Sequence, residues 1–195
     1  MARITRRQTI AVKIESIYGT DPVPAATDII TIEEPKLKVN GDALERLALN
    51  DTLSRRGIVV GMTDADLDFT TELKGSGVAG TAPEVGALFR AASMTQAINV
   101  SAGTVTYTLN SLVDPASVTI YYNADGILHK ITGARVSWKI VMEAGKYGKI
   151  QWKVKGLYNA PTDSVLVADA SADAVLPPIC QAANFSIGGY SSASS

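Results

Sequence analysis

Residues 64–94 decide the fold of this chain and read DADLDFTTELKGSGVAGTAPEVGALFRAASM. The first ten of these residues alternate between acidic or polar side chains and largely apolar ones. Because successive side chains of a β-strand point to opposite faces, the alternation predicts a strand with one acidic and one apolar face. The acidic face would carry Asp64, Asp66, Asp68 and Glu72, and the other face Leu67, Phe69, Thr71 and Leu73.

A helix is predicted to follow this strand, at about residues 82–93. Thr81 and Glu84 have the spacing of a capping box, in which Thr81 caps the helix and Glu84 reaches back to the backbone. Pro83 is compatible with the first turn because the amides there lack intrahelical partners. One apolar stripe at helical spacing would pack this core helix on a sheet: Val85, Leu88, Phe89 and Ala92.

The glycines between strand and helix admit two interpretations. Gly75, Gly77 and Gly80 match G-x-G-x-x-G, the pattern with which dinucleotide-binding folds hold a pyrophosphate. A parallel strand buried on both faces is continuously apolar, however, whereas the preceding strand alternates. No acidic residue lies between Glu84 and Asp114 to bind a ribose. We therefore expect a tight turn with glycine-specific backbone angles, and no cofactor.

The acidic strand also has more than one interpretation. Asp64, Asp66 and Asp68 resemble the opening of a calcium-binding loop, but that loop requires glycine at its sixth position and glutamate at its twelfth. Phe69 and Gly75 stand there instead, so no metal site is predicted. The carboxylates form either a functional acidic surface or a solvated face paired with lysines of a neighbouring strand. The lysines available for such pairs are Lys149, Lys153 and Lys155.

The composition indicates a folded protein made in a reducing cytosol. Of the 195 residues, 46% are hydrophobic and 19% are charged, which is enough apolar material for one core. A net charge of −1 argues against a protein that grips nucleic acid. The single cysteine excludes an internal disulfide. No long apolar run follows the basic N-terminus, so we expect neither a signal peptide nor a membrane span.

Alternating segments elsewhere predict many more short strands. They lie at about residues 9–16, 28–39, 97–100, 104–109, 118–123, 127–131, 135–143 and 149–158, with a last one at 181–190. Pro35 indicates an edge strand or a bulge, because proline cannot donate to a ladder. The segments at 135–143 and 149–158 face each other across a glycine turn as a hairpin. The pattern predicts a mainly β fold, an antiparallel β-sandwich or barrel with one flanking α-helix.

The chain is expected to form a single β domain over residues 9–190. An N-terminal arm at residues 1–8 would precede this domain, and a flexible end at residues 191–195 would follow it. A long insertion at residues 41–57 reads GDALERLALNDTLSRRG, and its leucines would be buried only by a partner. The residues expected to make that contact are Leu44, Arg46, Leu47, Leu49, Leu53, Arg55 and Arg56.

No set of residues predicts catalysis. His129 is the only histidine and lies beside a predicted turn, and Cys180 follows Pro-Pro-Ile without an activating neighbour. Trp138 and Trp152 lie near lysines, as in proteins that stack nucleic-acid bases. Both tryptophans share the parity of the apolar residues of their hairpin, however, which favours core packing. The chain is predicted to be a non-enzyme.

Four motifs occur in an order that is typical of one family. They read KIESIYGTDPVP at residues 13–24, ELKGSGVAGTAPE at 72–84, DGILHKITGAR at 125–135 and KGLY at 155–158, and NFSIGGY follows at 184–190. Together they resemble the major tail tube proteins of long-tailed, siphovirus-like bacteriophages. The resemblance covers residues 9–158 and the NFSIGGY segment.

The resemblance implies a structural subunit that assembles into hexameric rings, stacked into a hollow tube through which genome DNA is delivered. It implies no specific DNA binding, and it names a tail terminator, a tape measure and distal tail proteins as partners. The location would be the virion tail, after assembly in the host bacterial cytoplasm. Residues 41–57 would reach the neighbouring ring, and the acidic strand would line the lumen. The alternatives are a tube protein of a tail-derived bacteriocin or secretion device, and a β-sandwich binding module.

Overall fold

The computed structural model describes residues 7–46, 57–111, 115–166, 175–181, 184–187 and 190–193. The strands are β1 Gln8–Ile14, β2 Ile29–Ile30, β3 Glu33–Leu44, β4 Val59–Glu72, β5 Met94–Asn99, β6 Thr104–Leu109, β7 Val118–Ala124, β8 Ile127–Val141, β9 Lys149–Tyr158, β10 Thr162–Asp163, β11 Asn184–Ile187 and β12 Tyr190–Ala193. In the same described residues, the helical elements are α1 Gly86–Ala91 and a 3-10 turn at Ala26–Asp28. The chain is mainly β, as predicted.

One large antiparallel sheet dominates the fold, with the strand order β2-β1-β7-β8-β9-β4-β3 and with β10 paired to β8. The β5–β6 and β11–β12 hairpins form two small sheets of their own. The predicted antiparallel β architecture is confirmed. β3 lies at one end of the large sheet, and its register shifts at Pro35, between Glu33 and Lys36. The edge position and the bulge predicted from this proline are therefore both present.

The β8–β9 hairpin has the register that its apolar pattern predicts. Val136 faces Val154, and Trp138 faces Trp152. Trp152 is buried and donates from Nε1 to Thr71 Oγ1 at 2.8 Å, so core packing of the tryptophan is confirmed. The two strands expected at residues 127–131 and 135–143 are one continuous strand, because a bulge with a left-handed glycine, Gly133, carries the ladder through the gap.

The helix is shorter than the predicted 82–93. It begins after Val85, whose side chain makes no capping hydrogen bond, so the capping box of Thr81 and Glu84 is wrong. Ser76 Oγ instead donates to Thr81 O at 2.9 Å, which holds Thr81 in the preceding loop. The Glu84 carboxylate lies 3.8 Å from the Lys74 ammonium, which is a tertiary partner rather than a local one. The tertiary contacts override the local capping pattern.

The helix packs its apolar side into the one hydrophobic core formed by the large sheet. Val85, Leu88 and Ala91 are buried, and Leu88 has no exposed surface. Phe89 is half-buried, and its ring lies 5.1 Å from the Trp152 ring and 5.5 Å from that of Trp138. Ala92, which was expected in the stripe, is half-buried at the helix end, where the chain turns into β5. This edge-to-face aromatic cluster fixes the helix on the sheet.

β7 is covered on both faces. Ile120 and Tyr122 face the core, while Thr119 and Asn123 are buried on the opposite face. Asn123 Nδ2 donates to Val165 O at 3.4 Å across that face. At the other end of the chain, β12 runs through residue 193, so three residues of the segment expected to be flexible lie in a strand.

Candidate functional site

One face of the strands β3, β4, β9 and β8 carries most of the charged side chains of the sheet, and we name it the polar sheet face. On β4 the alternation is as predicted, since Leu67 and Phe69 are buried while the aspartates lie on the other side. The charged members are Glu33, Lys36 and Lys38 on β3, Asp64, Asp66, Asp68 and Glu72 on β4, Lys149, Lys153 and Lys155 on β9, and Arg135 and Lys139 on β8.

Opposite charges alternate across this face from strand to strand. Two rows read lysine, aspartate, lysine: Lys36–Asp68–Lys153 and Lys38–Asp66–Lys155. Side chains directly opposite each other in an antiparallel pair interact, and an opposite-charge pair contributes about 0.2–1 kcal/mol. The rows therefore stabilise the pairing of the edge strand β3 with the sheet.

Direct ion pairs close the two ends of the face. Lys155 Nζ lies 3.1 Å from Asp64 Oδ2 at one end, and Lys149 Nζ lies 2.5 Å from Glu33 Oε2 at the other. The hydrogen bond from Lys155 lowers the pKa of Asp64, and the same bond, helped by the charges of Asp64 and Asp66, raises the pKa of Lys155. The Glu33 carboxylate likewise raises the pKa of Lys149. These contacts therefore favour the charged forms of Asp64, Lys149 and Lys155.

The polar sheet face is not acidic, although its central strand is. Across β3, β4 and β9, five lysines (Lys36, Lys38, Lys149, Lys153, Lys155) offset five carboxylates (Glu33, Asp64, Asp66, Asp68, Glu72). Arg135 and Lys139 on β8 add two positive charges. Of the two interpretations of the acidic strand, the geometry favours cross-strand pairing, because β3 and β9 bring lysines to both sides of β4.

The β3–β4 hairpin protrudes beyond the rest of the sheet. β4 pairs with β9 only from Asp64 to Glu72, and nearer its start it pairs only with β3. We name residues 41–44 and 58–63 the hairpin extension. Its apolar side chains are exposed, Val60 to 72% and Met62 to 73%, with Leu44, Ile58 and Val59 also exposed. An apolar surface of this kind on a protruding element marks an interaction site.

The predicted insertion at residues 41–57 overlaps this hairpin extension. β3 continues through Leu44, so the first four residues of the insertion are strand rather than loop. Leu44 and Arg46 are exposed, as a contact residue must be. The remaining predicted contact residues lie outside the described residues: Leu47, Leu49, Leu53, Arg55 and Arg56.

β3 also leaves one edge of the large sheet open. Within the described ranges it pairs with β4 on one side and with no strand on the other. Unpaired backbone N–H and C=O groups along an edge are a template for pairing with another chain. Exposed Lys36 and Lys38 and the bulge at Pro35 are the features with which natural proteins restrict such pairing.

The glycine run is a tight link, as expected. Gly77 and Gly80 have φ of 76° and 72°, in the left-handed region that glycine adopts without strain. A Cβ on Gly80 would lie 3.1 Å from Val100 Cα, because the turn of the β5–β6 hairpin packs against the glycine. The helix begins only at Gly86. The run therefore joins loop to hairpin, and the geometry does not favour a pyrophosphate site.

Gly80→Ala is expected to lower the free energy of unfolding by about 1–3 kcal/mol, because alanine resists this φ and its Cβ meets backbone. Gly75→Ala is the matched control, since nothing lies within 4 Å of its added Cβ. Urea unfolding of both variants measures the difference. Equal stability of the two variants would contradict the close approach.

A buried carboxylate, Glu15, is a structural site that the sequence pattern did not reveal. Its position alternates with the apolar Ile10, Val12 and Ile14, which is the pattern of an exposed residue, yet only 7% of Glu15 is exposed. Its oxygens accept from Ser117 Oγ and Thr119 Oγ1 at 2.6 Å each, from Gly133 N at 2.7 Å and from Gly19 N at 2.8 Å. Burial opposes ionisation, but these four donors outweigh it and lower the pKa of Glu15.

The segment after Glu15 is fastened to the same outer face of the sheet. Asp21 accepts a hydrogen bond from Tyr121 Oη and lies 3.2 Å from Lys130 Nζ. Tyr18 packs on Gly133, where a Cβ would lie 2.9 Å from the ring. Burial opposes ionisation of Asp21, yet the bond from Tyr121 leads the contacts that lower its pKa. The KIESIYGTDPVP motif is therefore a clamp across β7 and β8.

Glu15→Gln is expected to destabilise the protein by about 2–4 kcal/mol, since the amide leaves buried donors unsatisfied. Because the folded pKa of Glu15 is lowered, its contribution is present above the usual carboxyl pKa and is lost as pH falls through the folded value. The difference in free energy of unfolding between wild type and variant, measured with urea, should therefore be largest near neutral pH and should decrease below about pH 4. Glu143→Gln, at an exposed position, is the control. A gap that does not change with pH would refute the ionised clamp.

The residues considered for catalysis have structural surroundings. His129 Nδ1 lies 2.8 Å from Tyr158 Oη, and its ring stacks on Tyr122. The backbone of Cys180 bonds to Gly145 and Lys146. The described part of the chain holds no group of three histidine, cysteine or acidic side chains placed for a metal ion. Nor does any helix in that part have the length and apolarity to cross a membrane.

An antiparallel subunit with an open edge, a charged face and a protruding apolar hairpin has the features of an assembly protein. The family model described as "Phage tail tube protein" matches residues 5–194, and the chain belongs to this family. No curated protein matches the sequence. A solved chain titled "Cryo-EM structure of the anti-feeding prophage (AFP) baseplate, 6-fold symmetrised" is similar with a TM-score of 0.42 and 11% identity, over 85% of this chain and 97% of that one. Family membership assigns a structural role in a phage tail.

Proposed function

We propose that this protein assembles into hexameric rings that stack into the hollow tail tube through which genome DNA is delivered. The observation that carries the proposal is the open edge of β3, which continues into the apolar hairpin extension. Within the described residues of a lone subunit, neither the open edge nor the exposed apolar side chains of the extension has a partner. A second copy of the chain would satisfy them.

The open edge is the feature that a ring would use. A head-to-tail contact between identical subunits closes into a ring when its rotation allows, and it then leaves no free edge. In a hexamer, the sheet of each subunit would continue into that of its neighbour as one barrel. The lysines and the bulge of β3 would restrict pairing to the correct neighbour.

The polar sheet face suits the lumen of such a tube. Its charged side chains require water, and the apolar side of the same strands is already buried in the core. Asp64, Asp66, Asp68 and Glu72 would therefore line a channel together with the lysines of β3 and β9. The channel surface would be charged but nearly balanced rather than acidic.

The hairpin extension and the insertion that it carries would contact the next ring. Leu44, Val60 and Met62 are exposed in the subunit and would be buried by stacking. The leucines and arginines at residues 46–56 would extend this contact. A tube wall held by apolar burial tolerates the ionic strength changes that would weaken a purely ionic contact.

The remaining parts of the proposal follow from the family. The protein would have no catalytic activity and no cofactor, and would lie in the virion tail after assembly in the host bacterial cytoplasm. Its partners would be the tail terminator, the tape measure and distal tail proteins. DNA would pass without sequence-specific recognition.

Negative-stain microscopy of the purified full-length protein tests the assembly directly. Hollow rings or tubes with six-fold averages are the expected result, and light scattering should report multiples of the 20.5 kDa subunit. A protein that stays monomeric at all concentrations and at low and high salt would overturn the proposal. Rings of another symmetry would correct the subunit number alone.

A further inference from the structure

The centre of the polar sheet face is a cationic groove. A concavity of about 560 Å³ lies there between the strands β3, β4, β9 and β8. Its cations are Lys36, Lys38, Lys153, Lys155 and Arg135, and its only acidic residues among those described are Asp66 and Asp68. We name this the lysine groove. Five positive charges against two negative ones leave a local excess of three, although the whole chain is nearly neutral.

Most of the lysines in this groove have no direct counter-ion. Of the lysines in the groove, only Lys155 forms an ion pair closer than 4 Å with a described residue, namely Asp64. Lys36, Lys38 and Lys153 are exposed and face the aspartates across the strands without a direct pair. Arg135 donates to Pro115 O and lies over the Tyr18 ring, so it adds charge without reaching far into solvent. Among the described residues, these three lysines have no ion pair within 4 Å, so their ammonium groups can donate to an incoming anion.

We propose that the lysine groove makes weak contacts with the phosphate backbone of duplex DNA, and that Asp66 and Asp68 set the weakness of those contacts. The inference rests on the proposed function, in which DNA passes this face. It differs from the repulsive acidic lining expected from the strand alone. The groove would touch its cargo and release it.

The arrangement of the charges favours DNA over an acidic protein segment. Lysines two apart on one strand are separated by about 6.8 Å, and the β3 and β9 rows lie about 9.6 Å apart across β4. Such parallel rows suit a continuous array of phosphates. Apart from Leu37, Val136 and Val154, the residues that line the groove are charged or polar. Each phosphate contact releases counterions, so binding should fall steeply with salt.

The aspartates explain why the contacts are weak. Each one lies directly between two lysines, where it lowers the local positive potential and repels a phosphate that approaches either row. Removal of the two carboxylates would raise the excess charge of the groove from three to five. The aspartate carboxylates therefore compete with the DNA phosphates for the lysines.

Fluorescence anisotropy with a short labelled duplex tests the inference on the full-length protein. Wild type should bind weakly at low salt and lose binding near physiological salt. Asp66→Asn with Asp68→Asn should bind about tenfold more tightly and with a steeper salt dependence. Adding Lys36→Gln and Lys153→Gln to that variant should return it to wild-type affinity or below. Thermal melting confirms that each variant is folded, and Asp68→Asn alone serves if the double variant is not.

The matched control removes two carboxylates elsewhere. Glu143→Gln with Asp163→Asn changes the net charge equally, at exposed positions outside the groove. If this control gains as much DNA affinity as the aspartate variant, the groove is not the site. Tighter binding of poly-glutamate than of DNA would overturn the inference in favour of an acidic protein. These measurements use soluble protein, so a lack of tubes under the microscope would refute the proposed function separately.

Discussion

Leu88→Asp is expected to leave no folded protein at physiological temperature. Leu88 is fully buried at the centre of α1, where it packs in the one core with residues of the large sheet. The substitution removes apolar contacts and places a carboxylate in an apolar site, at a cost of at least about 4 kcal/mol. A loss of this size approaches the lower end of the stability of a domain, about 5–15 kcal/mol. Loss of the cooperative melt and accumulation in the insoluble fraction are the measurements.

Two controls separate burial from other effects of the same helix. Arg90→Asp introduces the same charge on the exposed side of α1 and should cost at most about 1 kcal/mol. Leu88→Met conserves volume and should cost less than about 1.5 kcal/mol. A soluble Leu88→Asp protein that melts like wild type would show that the helix does not brace the sheet. Failure of all three variants would instead point to a general sensitivity of the helix.

Strand patterns predicted the fold because they are local and have a period of two. β4 buries Leu67 and Phe69 and turns its aspartates outward, as the alternation requires. The β8–β9 register also follows from its apolar residues, since a slip by one residue would expose Trp152. Short-range information was sufficient for both elements.

The failures came from partners that are distant in sequence. Glu84 matches a capping box, but its carboxylate pairs instead with Lys74, which only the folded loop brings near. Glu15 alternates like an exposed residue, yet Ser117, Thr119 and Gly133 bury it from more than 100 positions away. One observation pointed to the site, namely that Glu15 lies inside the motif shared with the family.

The charge of the polar sheet face was missed for the same reason. An acidic strand makes a sheet face acidic only when the neighbouring strands are neutral. Which strands are its neighbours depends on the topology of the sheet. β9 lies about 85 positions after β4, and the pairing partner on the other side is β3. Lysines had been considered on β9, but Lys36 and Lys38 on β3 had not. These two residues turn a paired face into a cationic groove.

Shortening the β3–β4 hairpin is expected to abolish tube formation without unfolding the subunit. Leu44 pairs with Val59, so residues 45–58 can be replaced by Asn-Gly, which closes a two-residue hairpin on that pair. Among the described residues between positions 39 and 63, which are 40–46 and 57–62, none is buried. A shorter loop also reduces the entropic cost of closing the hairpin, by about 0.6 kcal/mol for each halving of the loop length. The free energy of unfolding of the truncated chain should therefore stay within about 1 kcal/mol of that of wild type.

Assembly should respond very differently, because the truncated chain loses the predicted contact residues of the insertion, Arg46, Leu47, Leu49, Leu53, Arg55 and Arg56, although Leu44, Val60 and Met62 remain. Negative-stain images should show single rings or monomers at concentrations where wild type forms tubes, and sedimentation should give the same result quantitatively. A full-length variant with Leu47, Leu49 and Leu53 changed to serine separates apolar burial from loop length. Val165→Ser, at a residue that is 87% exposed elsewhere, controls for loss of surface apolarity. Normal tubes from the truncated chain would remove the stacking role from the hairpin, whereas loss of tubes with intact rings would confine that role to contacts between rings.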